Sequence, residues 1–269
     1  MLALLLALLS SFWGGEDTPP PSWPFKAMAY NVLYDAPAED MEKSLDVIER
    51  EKPDILCLRE LTPGFARAFR KRLGKEYPHT VLTPRKGTWG MGIASRHPLL
   101  RTGSFPEKPH RIPGMEADVK LGGQRLKVVC VHLMAPGAKH SKSESLLESL
   151  EKNAKLRAKQ GKALMERYAN EKAPILLLGD MNEGRQAEAM KTFAAEGFTH
   201  SCDGPSASCG NTWPGANTAL PAVVEIDHIL GRGLTFSEAR VLREGGSDHY
   251  PVRALVSFPK EEPKGSGKP

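Results

Sequence analysis

Ile175-Leu176-Leu177-Leu178-Gly179-Asp180-Met181-Asn182 is a short apolar run that stops at a glycine and delivers a carboxylate and a carboxamide together. A run of this length and composition reads as a buried strand. Four more such cassettes recur along the chain: Tyr30-Asn31, Leu58-Arg59-Glu60, Val131-His132-Leu133, and the late pair Ile226-Asp227-His228 with Ser247-Asp248-His249. Each joins an apolar stretch to one or two hard polar groups, the pattern produced when several strands empty into one cleft. The groups are oxygen ligands and imidazoles with no thiolate cluster. That inventory suits Mg2+, Mn2+ or Ca2+ and phosphoryl chemistry better than a closed zinc site.

Strand signals extend outward from these points. Residues 26–34, 54–58 and 174–179 read as strands, and residues 77–95 as a pair of strands joined by a Gly-rich turn at 85–90. Residues 115–121 and 124–133 form a hairpin about Gly122-Gly123, and three late strands are expected over 223–230, 235–242 and 251–256. The spacing of Met41, Leu45 and Ile48 predicts a helix over 38–51, and Thr62-Pro63 opens another that runs to about Leu73, with Thr62 as N-cap. A long polar helix over 143–168 carries Leu146, Leu147, Leu150, Leu156 and Leu164 as a single buried stripe, and a shorter helix covers 186–196. Residues 99–113 and 201–220 read as loops. Strands interleaved with helices, together with hairpins, predict an α+β fold of two packed β-sheets flanked by helices.

The chain has 269 residues, 40% hydrophobic and 26% charged, the composition of a globular protein rather than a disordered or collagenous one. One domain is expected over 25–258. Leu2 to Leu9 are almost wholly Leu and Ala, like the apolar segment of an export signal and too short to cross a bilayer as a helix. Residues 1–24 are therefore predicted to be a signal peptide and Pro-rich linker, which implies a secreted, periplasmic or cell-envelope protein. Residues 259–269 have lost hydrophobic pattern and are predicted to be a disordered tail. The net charge of +5 favours polyanionic partners through long-range Coulomb attraction. Cys57 and Cys130, inside apolar strand patterns, read as buried inert thiols. Cys202 and Cys209 occupy a Ser/Gly/Asp/Pro-rich loop, where a small disulfide is natural in an exported protein.

Hydrolysis of a phosphate ester requires neutralised phosphoryl oxygens, an in-line water and a route for the alkoxide to leave. Glu60 and Asp248, each at the end of a strand, are candidate metal ligands, with Asn31 as a neutral oxygen donor. Mg2+ keeps several waters, so few protein ligands suffice. Asp180 and His249 are the candidate bases, and Asn182 is a candidate donor to a developing phosphorane oxygen. Asp227 is the carboxylate that would hold the His249 ring. Alone, each has a plainer reading: Asp180 as a turn carboxylate, Asn182 as a helix cap, His132 as a satisfied core histidine. Their joint occurrence at strand ends is what points to a site. His228, one position past Asp227 on a strand, should face the other side of its sheet and is left out.

Asn31, Leu58-Arg59-Glu60, His132-Leu133, Gly179-Asp180-Met181-Asn182, Ile226-Asp227-His228 and Ser247-Asp248-His249-Tyr250-Pro251 together resemble the ordered signature of the endonuclease/exonuclease/phosphatase superfamily, over residues 26–258. The resemblance implies a DNase I-like four-layer α/β/β/α sandwich and a metal-dependent phosphoric ester hydrolase. It implies Glu60 as the principal Mg2+ ligand, with Mn2+ or Ca2+ as alternatives, and Asn31 and Asp248 completing the metal side. Asp180 and Asn182 would position the nucleophilic water and the phosphoryl group. Asp227 would orient His249 against the scissile phosphate, and His132 would be the second imidazole, a phosphate ligand or an acid for the leaving group. Two departures stand beside catalytic groups: Arg59 replaces the family's usual Gln before the metal Glu, and Glu225 its frequent Arg before Ile-Asp. His132 stands where abasic endonucleases usually have Tyr, which counts against that branch.

The expected activity is that of a nuclease-type phosphodiesterase, a monomer acting on nucleic acid, with Arg85-Lys86, Arg96 and Arg111 in loops bordering the cleft. A sphingomyelin or phospholipid phosphodiesterase working at a phospholipid surface, and an inositol or sugar phosphatase, are the competing enzyme readings. A non-catalytic anion-binding module is the competing class.

Overall fold

The computed structural model describes residues 24–105 and 107–259; the predicted export segment, most of its linker and all but the first residue of the predicted C-terminal tail lie outside the described residues. In chain order the elements are β1 (Phe25–Asn31), α1 (Ala38–Glu51), β2 (Ile55–Arg59), α2 (Pro63–Leu73), β3 (His79–Thr83), β4 (Met91–Ser95), β5 (Leu99–Ser104), a short α3 (Glu107–His110), β6 (Met115–Leu121), β7 (Gln124–His132), α4 (Leu146–Arg167), β8 (Ile175–Asp180), α5 (Glu188–Ala195), β9 (Thr199–His200), β10 (Asp227–Arg232), β11 (Thr235–Val241) and β12 (Val252–Ser257).

The strands form two six-stranded sheets, ordered β11-β12-β1-β2-β4-β3 and β5-β6-β7-β8-β10-β9. Each has one parallel pair at its centre, β1 with β2 and β7 with β8, and antiparallel neighbours elsewhere. Alternation along the strands divides the apolar side chains between two faces. Ala27, Ala29, Ile55 and Cys57 of the first sheet meet Val128, Cys130, Leu176, Leu178 and Ile229 of the second in the central core. Met28, Tyr30, Leu56 and Leu58 face outward onto Leu45, Ile48, Phe65 and Phe69 of α1 and α2. Val129, Val131, Ile175 and Leu177 face outward onto Leu164, Met165, Ala189 and Phe193 of α4 and α5. The result is a four-layer α/β/β/α sandwich, the predicted fold.

Three local expectations are corrected. Leu146 and Leu147 at the start of α4 are 60% and 76% exposed and Leu150 is also exposed, so the predicted buried leucine stripe fails over its first half. The buried face carries Ser149, Asn153, Arg157 and Gln160 before it reaches Leu164 and Met165. Those polar groups face the backbone of the segment after β7. Asn153 Nδ2 donates to the carbonyls of Pro136 and Ala138, Arg157 Nη1 to that of Met134, and Gln160 Oε1 accepts the Met134 N–H. A helix packed on an irregular chain must supply hydrogen bonds rather than apolar surface. Residues 99–113 contain β5 and α3 rather than loop alone; β5 is an exposed edge strand, so it has no apolar alternation to reveal it. Cys57 and Cys130 are not thiols but a disulfide, because strand alternation points both into the space between the sheets. Cys202 and Cys209, whose pairing the sequence left open, form a second disulfide.

Candidate active site

The central strands deliver one layer of polar groups immediately above the core. Asn31 follows Ala29 by two residues, Arg59 follows Cys57, His132 follows Cys130, Asp180 follows Leu178, and Asp227 precedes Ile229. Register places these in line: Asn31 pairs with Arg59, His132 with Asp180, and Asp180 with Asp227. All five are buried, from 0% to 5% exposed. The strand ends then turn sharply, and Glu60 and Asn182 adopt left-handed backbone at φ +57° and +53°. Non-glycine residues take this conformation at a cost, and such strain clusters at functional sites.

Asp180 is the hub. Its Oδ2 lies 3.3 Å from Asn31 Nδ2, 3.4 Å from His132 Nε2 and 3.7 Å from His249 Nε2, and its Oδ1 accepts the Asn182 N–H at 2.9 Å. His249 Nδ1 lies 2.7 Å from Asp227 Oδ2, the predicted carboxylate–imidazole pair. Asn31 Nδ2 also donates to Glu60 Oε1 at 3.2 Å, and Glu60 Oε2 accepts the Tyr34 N–H at 3.2 Å. The Asn182 side chain is anchored by donating to the Leu133 carbonyl at 3.0 Å. Glu60, Asn31, His132, Asp180, Asn182, Asp227 and His249 are therefore gathered in one place. Asp248 sits at its edge. It is half-buried, its Oδ2 accepts Trp213 Nε1–H at 3.4 Å, and it joins the cluster through Ser247, whose hydroxyl donates to the Asn31 carbonyl at 2.6 Å.

Charge placement sets the protonation preferences. Burial pushes the Asp180 carboxyl up, repulsion from Asp227 adds to this, and His249 and Arg59 only partly offset it. Burial alone would raise Asp227 too, but His249 and Arg59 hold it well below the carboxylate range. Burial disfavours charge on His249, yet Asp227 and Asp180 outweigh it and raise the imidazolium's pKa. His132 is lowered by burial, with Glu60 opposing.

Arg59, noted in the sequence only as a departure, is the residue that strand reasoning missed. Its side chain is fully buried, its Nη2 donates to Asp227 Oδ1, and its Nη1 donates to the Cys57 carbonyl at 3.2 Å. No periodicity signals an arginine buried between two sheets. Ser247 and Thr212 were also missed as supports; Thr212 Oγ1 accepts the Asp227 N–H at 3.2 Å, and Ser247 Oγ accepts the His249 N–H at 3.1 Å. His228 does face the other side, where its Nδ1 lies 2.8 Å from His200 Nε2 and its Nε2 2.9 Å from the Glu183 carbonyl.

The site opens into a cavity of about 800 Å³ whose walls include Trp89, Met134, Pro136, Trp213, Val224 and Ile226. Of the predicted flanking cations, Arg111 lines this cavity, and Arg85 and Lys86 line a neighbouring hollow of about 360 Å³ that shares Trp89 with it. Arg96 does not border the cleft. β4 runs antiparallel to β2, so its C-terminal end lies beside Asp54, at the opposite end of the sheet from Glu60.

The donor set fits a divalent cation. Glu60 is 8% exposed and has no ion-pair partner among the described residues. A buried unpaired carboxylate is costly, and an oxygen-seeking cation resolves it. Asp180, Asp227 and His249 also bring ligand atoms within 4.8 Å of one another. That trio is the poorer choice, since Arg59 and His249 already neutralise Asp227. As oriented, Asn31 turns its NH2 toward both carboxylates while its Oδ1 accepts the Leu33 N–H at 3.2 Å. Half a turn of the amide would present the oxygen instead.

A sequence profile described as the Endonuclease/Exonuclease/phosphatase family matches residues 28–249. Comparison with curated proteins found no match. Among solved structures, a functionally unknown conserved protein from Enterococcus faecalis V583 is similar at TM-score 0.69 and 19% identity, covering 87% of this chain and 100% of that one. D. rerio TDP2 complexed with single strand DNA product is similar at TM-score 0.67 and 18% identity, over 87% and 98% of the two chains. The mannosyl-6-phosphatase of Bacteroides thetaiotaomicron VPI-5482 is similar at TM-score 0.67 and 15% identity, over 87% and 100%. At these identities the likeness is one of fold.

Proposed function

We infer, from the fact that this chain belongs to the endonuclease/exonuclease/phosphatase family of phosphoester hydrolases and from the geometry of its site, that it cleaves a phosphodiester by direct attack of an activated water, with no covalent enzyme intermediate. One observation carries the reading: Asp180 Oδ2 lies within 3.7 Å of a carboxamide and two imidazoles at the floor of an open cavity. A carboxylate so held can take a proton from water, with Asn182 beside it to steady the phosphoryl group. His249, gripped at Nδ1 by Asp227, presents Nε2 to a phosphoryl oxygen as a fixed donor. His132 offers a second ring nitrogen to the phosphate or the leaving oxygen. Glu60, Asn31 and Asp248 would hold Mg2+, or Mn2+ or Ca2+ in its place. When bound, the ion supplies Lewis-acid neutralisation of charge on the phosphoryl and departing oxygens.

Nucleic acid is the proposed substrate class. The net charge of +5, and a hollow lined by Arg85, Lys86 and Trp89 next to the cavity, support a path for a phosphodiester backbone with a base stacked on an aromatic ring. The neighbour TDP2, solved with a single strand DNA product, is consistent with this class. The exposed cavity-lining residues Trp213, Val223 and Val224 favour a second reading, an amphiphilic phosphodiester at a phospholipid surface. Two disulfides support the proposed export to an oxidising compartment.

The test is hydrolysis of bis-nitrophenyl phosphate, single-stranded DNA and phospholipid vesicles, with EDTA and then added Mg2+ or Mn2+. Turnover should vanish with the chelator and return with the ion. His249→Ala and Asp180→Ala should each abolish it, while Glu60→Ala should chiefly raise the metal concentration required. Wild-type rates in His249→Ala would overturn the assignment.

A further inference from the structure

We propose that the Cys57–Cys130 disulfide positions the active site, by clamping the two sheets together one layer beneath the catalytic groups. The inference rests on the phosphodiesterase reading above. Cys57 is on β2 of the first sheet and Cys130 on β7 of the second, and among the described residues theirs is the one disulfide that joins the sheets. Two strand positions further on stand Arg59 and His132, on the same faces, a rise of about 6.6 Å.

The clamp matters because the polar layer is divided between the sheets. Asn31, Arg59 and Glu60 come from the first, and His132, Asp180 and Asp227 from the second. Two contacts cross the gap directly: Asn31 Nδ2 to Asp180 Oδ2 at 3.3 Å, and Arg59 to Asp227. Face-to-face sheets ordinarily stand about 10 Å apart. At the cystine the Cα atoms of Cys57 and Cys130 are 5.6 Å apart. The sandwich is therefore pinched at this point, and short side chains such as Asn31 and Asp180 can touch across it. Register sets Cys57 beside Ala29 in the first sheet, and Cys130 beside Leu178, itself beside Ile229, in the second. Directly beneath Asn31 and Arg59 the first sheet thus places only the Ala29 methyl group and half of the cystine, with the bulkier Val252 and Ile93 one strand further out on either side. Released from the bond, the strands would relax toward ordinary separation. Hydrogen bonds weaken steeply beyond about 3.5 Å, and a misplacement of about 1 Å can cost a hundredfold in rate. Cys57 and Cys130 are positioning residues here, acting through Arg59 and His132 without touching substrate.

The experiment compares three oxidised proteins in Mg2+ on bis-nitrophenyl phosphate, well below their melting temperatures: wild type, Cys57→Ala/Cys130→Ala, and the control Cys202→Ser/Cys209→Ser. The first pair should stay folded by circular dichroism yet lose about tenfold or more in kcat, with KM changed by less than about threefold. The control pair should keep kcat within about twofold. A purely structural cystine would lower Tm and leave kcat of the folded protein unchanged, and that result overturns the proposal. If the alanine pair does not fold, wild type refolded in a dithiol, with two free thiols confirmed at Cys57 and Cys130, is assayed against its oxidised form. Equal kcat in the two forms overturns the proposal, and so does failure of both link-free proteins to fold, since the cystine is then a folding element. Absence of turnover in oxidised wild type under every metal removes the phosphodiesterase reading itself, a distinct result.

Discussion

Replacing Arg59 by Met should be the most informative single perturbation of the buried framework. Arg59 and Asp227 are both fully inaccessible to solvent and pair through Nη2 and Oδ1. Methionine occupies similar volume but leaves the Asp227 carboxylate with one cationic neighbour, His249, at 2.7 Å. Breaking a buried pair by deleting one partner costs about 3–5 kcal/mol, because an uncompensated charge remains in low dielectric. His249 still compensates part of it, so the expected loss is near the lower end, about 3 kcal/mol. For a domain of this size that corresponds to a fall in Tm of about 6–12 °C. Arg59→Gln, which restores the residue usual at this position in the resembling family, keeps an amide donor for Asp227 and should lose no more than about 1–2 kcal/mol. Urea unfolding followed by tryptophan fluorescence measures both. In the cycle with Asp227→Asn, the double variant should be more stable than the sum of the single losses by at least about 1 kcal/mol. Additive losses, or Arg59→Met within about 1 kcal/mol of wild type, would refute the view that this pair carries charge compensation beneath the site.

Two further outcomes are expected. His110 is packed edge-on against Phe105 with ring centroids 5.0 Å apart, and burial, aided by the Arg167 charge, lowers its pKa to about 4 from the ordinary 6.5. Because the unfolded chain binds that proton first, stability is whole above pH 6.5 and is lost as pH falls from there toward about 4. Urea midpoints at pH 7.5 and 4.5 should show His110→Gln with the shallower decline, by about 1–3 kcal/mol after allowance for screening; parallel declines would sink the assignment. At Gly179 a β-carbon would lie 2.1 Å from the Val131 carbonyl oxygen. Gly179→Ala should therefore force β7 from β8 beside His132 and Asp180, costing about 2 kcal/mol in urea unfolding, and wild-type stability would show that the strands can yield.

Much of the fold is legible along the chain because a strand or helix half-buried in a core repeats its apolar residues at its own period. The apolar runs before Asn31, Glu60, His132 and Asp180 place four strands, each running into a buried polar group, whereas the strand expected over 223–230 begins only at Asp227. Other features escaped because the deciding partner is distant. The buried leucine stripe expected on α4 fails at its N-terminal half, where Asn153 and Arg157 answer the open carbonyls of residues 134–138, and solvent takes Leu146 and Leu147. Arg96 looked like a cleft cation until the antiparallel pairing of β4 carried it to the far end.

The amino-acid sequence by itself determined most of the strands and helices, though not the edge strand β5 or α3, along with the two-sheet α+β architecture and the polar groups near strand ends, since these follow from local periodicity and termination. Only tertiary structure decided that Arg59 would meet Asp227, 168 residues away, that Cys57 would bond Cys130 across 73 residues, and that Asp180 would become the hub. Each of these depends on the register and separation of two sheets. Those quantities are set by packing between faces, and no single strand encodes them.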